Sequence, residues 1–402
     1  MSKITACLIV KNEEAHLERC LKSLRGKVDE IVVVDTGSTD RTVEIASRFN
    51  AKIVTFQWTN NFSDARNESL KHATSEWILW IDADEELVCS NKSKLKKIIS
   101  ADKFDVFLMK ITSFVGDAEN GSESNRNHAI RLFRNDPQYR FYGRIHEQIV
   151  TQEQVNDTRI GSMDYLEILH YGYLQEIKEN KNKFQRNKEL LEEELKENPE
   201  DAFHWFNLGM EYYTTQNFQE AKTCFEKSLK FSSTSAFYYP RLLRNAANSL
   251  YNLNEFGKAE ELCNRAIQLF PDYTDIWFVS SFVLEGQNKV NDAIVSLERC
   301  LQLGESKKFE SLKGVGSYKA LYKLGELYSK TGNAGKAIEV LNQGALQYPQ
   351  HLHFFTDLSQ IYLQTNQVSK AAAILKKGAK FHPQLLEVAK RAEEFAKKLK
   401  GL

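Results

Sequence analysis

The chain has 402 residues, 54 Lys plus Arg against 54 Asp plus Glu, and 42% hydrophobic residues. Single cores seldom grow past roughly 250–300 residues, so two or three domains are expected, and the charge balance argues against wholesale nucleic-acid binding. No segment reaches the ~18 apolar residues that span a bilayer, and the N-terminus MSKITACLIVKNEE lacks the apolar length and cleavage site of a signal peptide.

Up to about residue 170, short apolar runs alternate with amphipathic stretches. ITACLIV is followed by a helical pattern from Glu13 to Leu24, then EIVVVD, a helix from Asp40, KIVTF, a helix over Ser63 to Ala73, and WILWID. This alternation predicts an α/β domain with a mostly parallel sheet and helices on both faces. Ligands of such sheets bind outside the carboxyl ends of the strands. Two strands end there in carboxylates, EIVVVD in Asp35 and WILWI in Asp82, Asp84, Glu85 and Glu86. The spacing Asp82-x-Asp84 places two carboxylates on the same side of an extended segment, where they can hold a hard divalent cation and leave positions for a diphosphate and water. Glu85 and Glu86 are expected to cap a following helix. The polar stretch GDAENGSESNRN, Gly116 to Asn127, reads as a mobile loop near the acceptor side, and the charged run 176–197 as a connector helix whose charge is mostly solvated.

Beyond Asn198-Pro199 an internal repeat appears. The pattern Trp205, Leu208, Gly209, Tyr212, Ala221, Phe225 recurs from Leu243, Trp277, Leu321 and Phe355, with prolines Pro271, Pro349 and Pro383 after three of the units. It resembles the tetratricopeptide repeat, in which small residues let two antiparallel helices approach and large ones fill the space between neighbours. The expected layout is a sheet domain over 1–174, a connector over 175–199, about five repeats over 200–384 and a capping helix over 385–402. The six cysteines show no paired spacing, which fits a reduced, cytoplasmic setting.

Taken together, CLIVKNEE, EIVVVDTGSTDRT, NNFSDARNESL, ATSEWILWIDADEEL and RLFR…FYGRIHE resemble family-two glycosyltransferases, over residues 3 to about 171. The resemblance implies a nucleotide-diphosphosugar-binding GT-A domain that uses a UDP-sugar and Mg²⁺ or Mn²⁺. It implies that Val10, Asn12 and Glu14 line the nucleotide pocket and that Asp35 recognises uracil or ribose. Asp64 and Arg66 face the donor; Asp82 contacts ribose and metal-bound water; Asp84 binds the metal, with His170 a further metal or diphosphate ligand. The alternative for Arg66 is a helix-surface ion pair, and for His170 a core histidine. Inverting transfer needs a base on the acceptor side, for which Glu147 is the first candidate and His146 the second. Arg131 is a candidate diphosphate contact or a flank of the sheet edge.

The pairing of this domain with helical repeats is similar to the glycocin peptide S-glycosyltransferases of the sublancin type. That likeness implies a hexose moved to a Cys or Ser of a ribosomal peptide bacteriocin, and self-association as a homodimer through the helical region. A thiol acceptor also relaxes the need for a strong base. Two other readings stand beside it: a transferase of cell-surface glycan synthesis, and a non-catalytic repeat scaffold that binds nucleotide without turnover.

Overall fold

In the computed structural model, residues 2–101, 103–115, 123–149, 158–171, 177–306 and 308–400 are described. Two compact units comprise Met1–Tyr239 and Pro240–Leu402, so the connector and the first helix pair belong to the same unit as the sheet.

In the first unit β1 (Ile4–Val10), α1 (Leu17–Leu24), β2 (Glu30–Asp35), α2 (Thr42–Arg48), β3 (Lys52–Thr55), α3 (Phe62–His72) and β4 (Trp77–Trp80) follow the alternation of the sequence. Then come β5 (Glu85–Cys89), α4 (Lys92–Ile99), β6 (Val106–Val115), β7 (Glu123–Arg134) and β8 (Ile160–His170), in the sheet order β3-β2-β1-β4-β7-β6-β8-β5. Six of these eight strands, β3, β2, β1, β4, β6 and β8, run the same way, so the sheet is mostly parallel as expected, with β7 and β5 reversed. β3, β2, β1 and β4 run parallel, whereas β7 pairs antiparallel with both β4 and β6, and β5 antiparallel with β8.

Successive strand residues point to opposite faces, which explains why the strands are apolar throughout. Ala6, Leu8, Val10, Trp77 and Leu79 join α1 residues Leu17, Leu21 and Leu24 in one core. Cys7, Val32 and Ile78 join Leu70 of α3 and Phe133 of β7 in the other. Helix α1 starts later than the apolar pattern suggests. The amides of Asn12, Glu13 and Glu14 donate to Ser38 Oγ, Thr42 Oγ1 and Asp40 Oδ2, and this holds residues 12–14 as a loop.

Three further expectations are revised. Glu85 and Glu86 open β5 instead of capping a helix; α4 is capped by Asn91, whose side chain accepts from the Lys94 amide at 2.9 Å. Residues 123–127 of the expected loop lie in β7, and 116–122 fall outside the described residues. The charge of the connector α5 (Ile177–Glu197) is partly consumed by Arg144, which pairs with Glu193, Glu194 and Glu197.

Helices α6 (Ala202–Thr214) and α7 (Phe218–Phe231) complete the first unit. A Cβ on Gly209 of α6 would come within 2.5 Å of Phe225, the close approach that its small side chain permits.

The second unit holds α8 (Tyr239–Asn252), α9 (Phe256–Leu269), α10 (Thr274–Gly286), α11 (Val290–Leu303), α12 (Tyr318–Lys330), α13 (Ala334–Gln347), α14 (His353–Gln364), α15 (Val368–Gly378) and α16 (Leu385–Lys400). The turn inside each helix pair carries one left-handed residue, Gln216, Asn254, Asn288, Gly332 and Asn366 in chain order. Asn and Gly tolerate that conformation best. Between α11 and α12 the connection is longer and is fastened by the buried Asp275, which accepts from Arg244, Ser311 Oγ and the Leu312 amide.

Candidate active site

The strands bring the predicted residues to the carboxyl ends of β1, β2 and β4. Val10 pairs with Asp35 across β1 and β2. Asp35 is buried and accepts from the amides of Gly37 and Ser38, at 3.3 and 3.2 Å, which fixes its carboxylate at the mouth of the turn. Asn12 and Glu14 are spent on the same loop. Asn12 Oδ1 accepts from the Thr39 amide at 2.7 Å, and Glu14 Oε2 accepts from Arg41 Nε at 3.2 Å. They shape the 36–41 turn beside Val10.

The turn after β4 departs from the extended geometry expected of Asp82-x-Asp84. Ala83 and Asp84 form a turn, closed by the Glu85 amide donating to the Asp82 carbonyl at 3.1 Å. The two carboxylates therefore address different partners. Asp82 accepts from Arg66 Nη2 at 3.0 Å and lies 3.8 Å from Arg131 Nη1. Burial alone would raise its carboxyl, but the two guanidinium groups pull it down to about 2. Asp84 Oδ2 instead lies 3.3 Å from His170 Nε2. Burial disfavours the charged imidazole, yet the hydrogen bond and charge of Asp84 outweigh it and raise the His170 pKa. The other ring nitrogen of His170 faces Ser113 Oγ at 3.4 Å.

Arg66 is no helix-surface ion pair. It is buried, and its Nε donates to Glu147 at 2.8 Å while its Nη2 holds Asp82, so one guanidinium joins the candidate base to the strand-end carboxylate. Asp64 is exposed and accepts from Thr59 Oγ1 at 2.9 Å; it does not join this chain of contacts. His146 is exposed with a φ of 55°, in the same loop as Glu147.

Arg131 is neither at the sheet edge nor open to solvent. It donates to Glu85 at 2.7 Å, and Glu85 is fully buried. Burial pushes the Glu85 carboxyl up to about 7, against the pull of Arg131. The guanidinium carbon of Arg131 sits 3.5 Å from the centre of the Trp80 ring, and that of Arg66 4.3 Å from it. The Nε and Nη1 atoms of Arg131 lack hydrogen-bond partners, and the indole face supplies part of the missing stabilisation. Trp80 is thus a structural member of the site that the sequence did not single out, and Glu85, expected as a helix cap, is a second. The signal for Trp80 was its place two residues before Asp82.

Among the described residues no group of three or more His, Cys, Asp or Glu side chains is gathered as a metal cage. A hard cation in a nucleotide-sugar site needs fewer, because one or two protein ligands suffice when a diphosphate and water supply the rest. The neighbouring Asp84 oxygen and His170 nitrogen fit that role.

Residues 5–169 match the family described as "Glycosyl transferase family 2", and residues 205–235, 240–273 and 318–351 match tetratricopeptide repeats. A TPR repeat-containing protein of Synechococcus elongatus is 34% identical over 214 residues, covering 52% of this chain and 52% of that protein. The SPbeta prophage-derived glycosyltransferase SunS of Bacillus subtilis is 31% identical over 228 residues, covering 56% of this chain and 53% of that one. An uncharacterized glycosyltransferase of Rickettsia typhi is 32% identical over 137 residues, covering 33% and 47%. The chain thus spans about half the length of the curated relatives it matches. Residues 5–169 are a family 2 glycosyltransferase domain, and the helical part that follows carries tetratricopeptide repeats over 205–235, 240–273 and 318–351.

Proposed function

We propose that the protein is an inverting transferase that moves a hexose from a UDP-sugar to a Cys or Ser side chain of a peptide. The observation that carries this reading is the juxtaposition, at one strand edge, of the Asp84–His170 pair with the chain Asp82–Arg66–Glu147. The first pair suits a metal that carries a diphosphate, and the chain would set a carboxylate beside the donor.

Val10 and the turn shaped by Asn12 and Glu14 would seat the nucleotide. Asp35 keeps lone pairs beyond those given to Gly37 and Ser38, enough to accept from ribose or uracil. Asp82, held ionised by Arg66 and Arg131, would accept from the ribose hydroxyls. Asp84 and His170 would hold Mg²⁺ or Mn²⁺, which supplies neutralisation of charge on the departing diphosphate. Glu147 would take the acceptor proton. Glu147 also accepts from Arg66, and a thiol acceptor, which ionises more easily than a hydroxyl, makes the smaller demand on a base.

The peptide acceptor is supported by the likeness of NNFSDARN, ATSEWI and GRIHE to the glycocin S-glycosyltransferases, and by helical repeats of a kind that offer extended binding surfaces. Nucleotide sugars are made in the cytoplasm, where six free cysteines are at home. Among the described residues no helix is long and apolar enough to cross a membrane.

Intact-mass analysis of Cys- and Ser-containing peptides, incubated with the protein, UDP-sugars and Mg²⁺ or Mn²⁺, tests this. The expected result is a gain of one hexose that a chelator abolishes; loss of the gain on blocking the thiol assigns Cys, and its persistence assigns Ser. Unmodified peptides alongside a modified glycan acceptor would overturn the peptide assignment.

A further inference from the structure

The first helix of the helical half reaches the catalytic loop. Phe62, which opens α3, donates its amide to the Arg144 carbonyl at 2.8 Å, and Ser63 Oγ donates to the Gly143 carbonyl at 2.5 Å, so the loop holding Glu147 is tied to the start of α3. Arg144 in turn is bound by three glutamates of α5, and Ile145 packs in a core with Leu190, Leu191 and Leu195 of the same helix. This anchoring presents Arg186 of α5 over the Phe62 ring, its guanidinium carbon 5.1 Å from the ring centre. Phe62 meets Trp58 edge-on at 4.8 Å.

Among the described residues no carboxylate forms a direct ion pair with Arg186. Its Nε and Nη2 donate to the side-chain oxygen of its neighbour Asn187, at 3.2 and 3.0 Å, and Asn187 Nδ2 donates to Glu211 of α6 at 2.8 Å. The residue is exposed at the surface, and partial burial of its guanidinium lowers the pKa against the pull of Glu211 and Glu147. A guanidinium that is posed on an aromatic ring, oriented by an amide and still open to solvent is arranged to bind an oxygen from outside the chain.

We propose that Arg186, with Phe62 and Trp58, forms an acceptor subsite: the guanidinium holds a main-chain carbonyl oxygen of the peptide, and the two rings pack against the residues flanking the modified side chain. The assignment rests on the peptide-acceptor reading and goes beyond it, since it has the helical part of the chain furnish a substrate contact at the catalytic loop. No bond is made or broken by Arg186. It fixes the acceptor next to Glu147 and leaves the donor to the strand-end residues.

Steady-state kinetics of Arg186→Ala and Arg186→Lys test it, with peptide and UDP-sugar varied separately and a thermal melt to verify folding. A charge-assisted hydrogen bond contributes roughly ten- to hundredfold in binding. R186A is therefore expected to raise the peptide KM roughly tenfold or more, with the UDP-sugar KM within about twofold of wild type. R186K, which keeps the charge but loses the fork, is expected to fall between. An unchanged peptide KM, or an equal rise in both KM values, would overturn the subsite while leaving the enzyme reading intact. A wild-type protein that modifies no peptide at all would overturn both.

Discussion

Substituting Asp84 by Ala is expected to lower metal-dependent sugar transfer at least about a hundredfold, since the cation contributes several kcal/mol of charge stabilisation at a leaving diphosphate. The side chain is half-buried and its known partner is one imidazole, His170 at 3.3 Å, so its removal leaves the fold largely as it was. The loss should therefore appear in the rate and in the Mn²⁺ concentration needed for half-maximal rate, with little change in melting temperature. His170→Ala is expected to follow in the same direction with a smaller effect, because a diphosphate and Asp84 remain to hold the ion. Transfer by D84A within about threefold of wild type would remove Asp84 from the metal site.

The second large effect concerns stability. Arg131 and Glu85 form an ion pair in which Glu85 is fully buried and the arginine side chain is 7% exposed. Replacing Arg131 by Met leaves the carboxylate in the core without its partner, and losing one member of a buried pair costs about 3–5 kcal/mol. For a unit of this size that corresponds to a drop of roughly 10 °C in melting temperature. Adding Glu85→Gln removes the stranded charge, so the double variant is expected to recover at least half of the loss. A melting temperature of R131M close to wild type would mean that the pair contributes little. A double variant no better than the single would mean that packing of Arg131 on Trp80 matters more than its charge.

Much of the sheet was legible because its strands are buried on both faces. ITACLIV, EIVVVD and WILW are continuous apolar runs, and their ends carry Asp35 and Asp82 to one edge by topology alone. The helical repeats were legible through their period, with small residues at Gly209 and Gly325 facing Phe225 and Leu341. What escaped depends on partners distant in sequence. EELVC reads as polar at its start, and Glu85 can enter a strand only because Arg131, 46 residues on, meets it in the core. Asp82 and Asp84 looked like a matched pair on one side of a strand. A turn separates them, and the guanidinium groups of Arg66 and Arg131 claim the first while His170 claims the second. The charge of α5 likewise looked solvated until the fold brought Arg144 to it.

The account stands most directly on nucleotide-sugar turnover at this strand edge. The measurement is release of UDP from UDP-glucose, UDP-galactose and UDP-N-acetylglucosamine, with Mg²⁺ or Mn²⁺ and then with a chelator in excess. The account predicts release from at least one of the three that the chelator stops. Release from none of them, or release at the same rate with the metal removed, would contradict it.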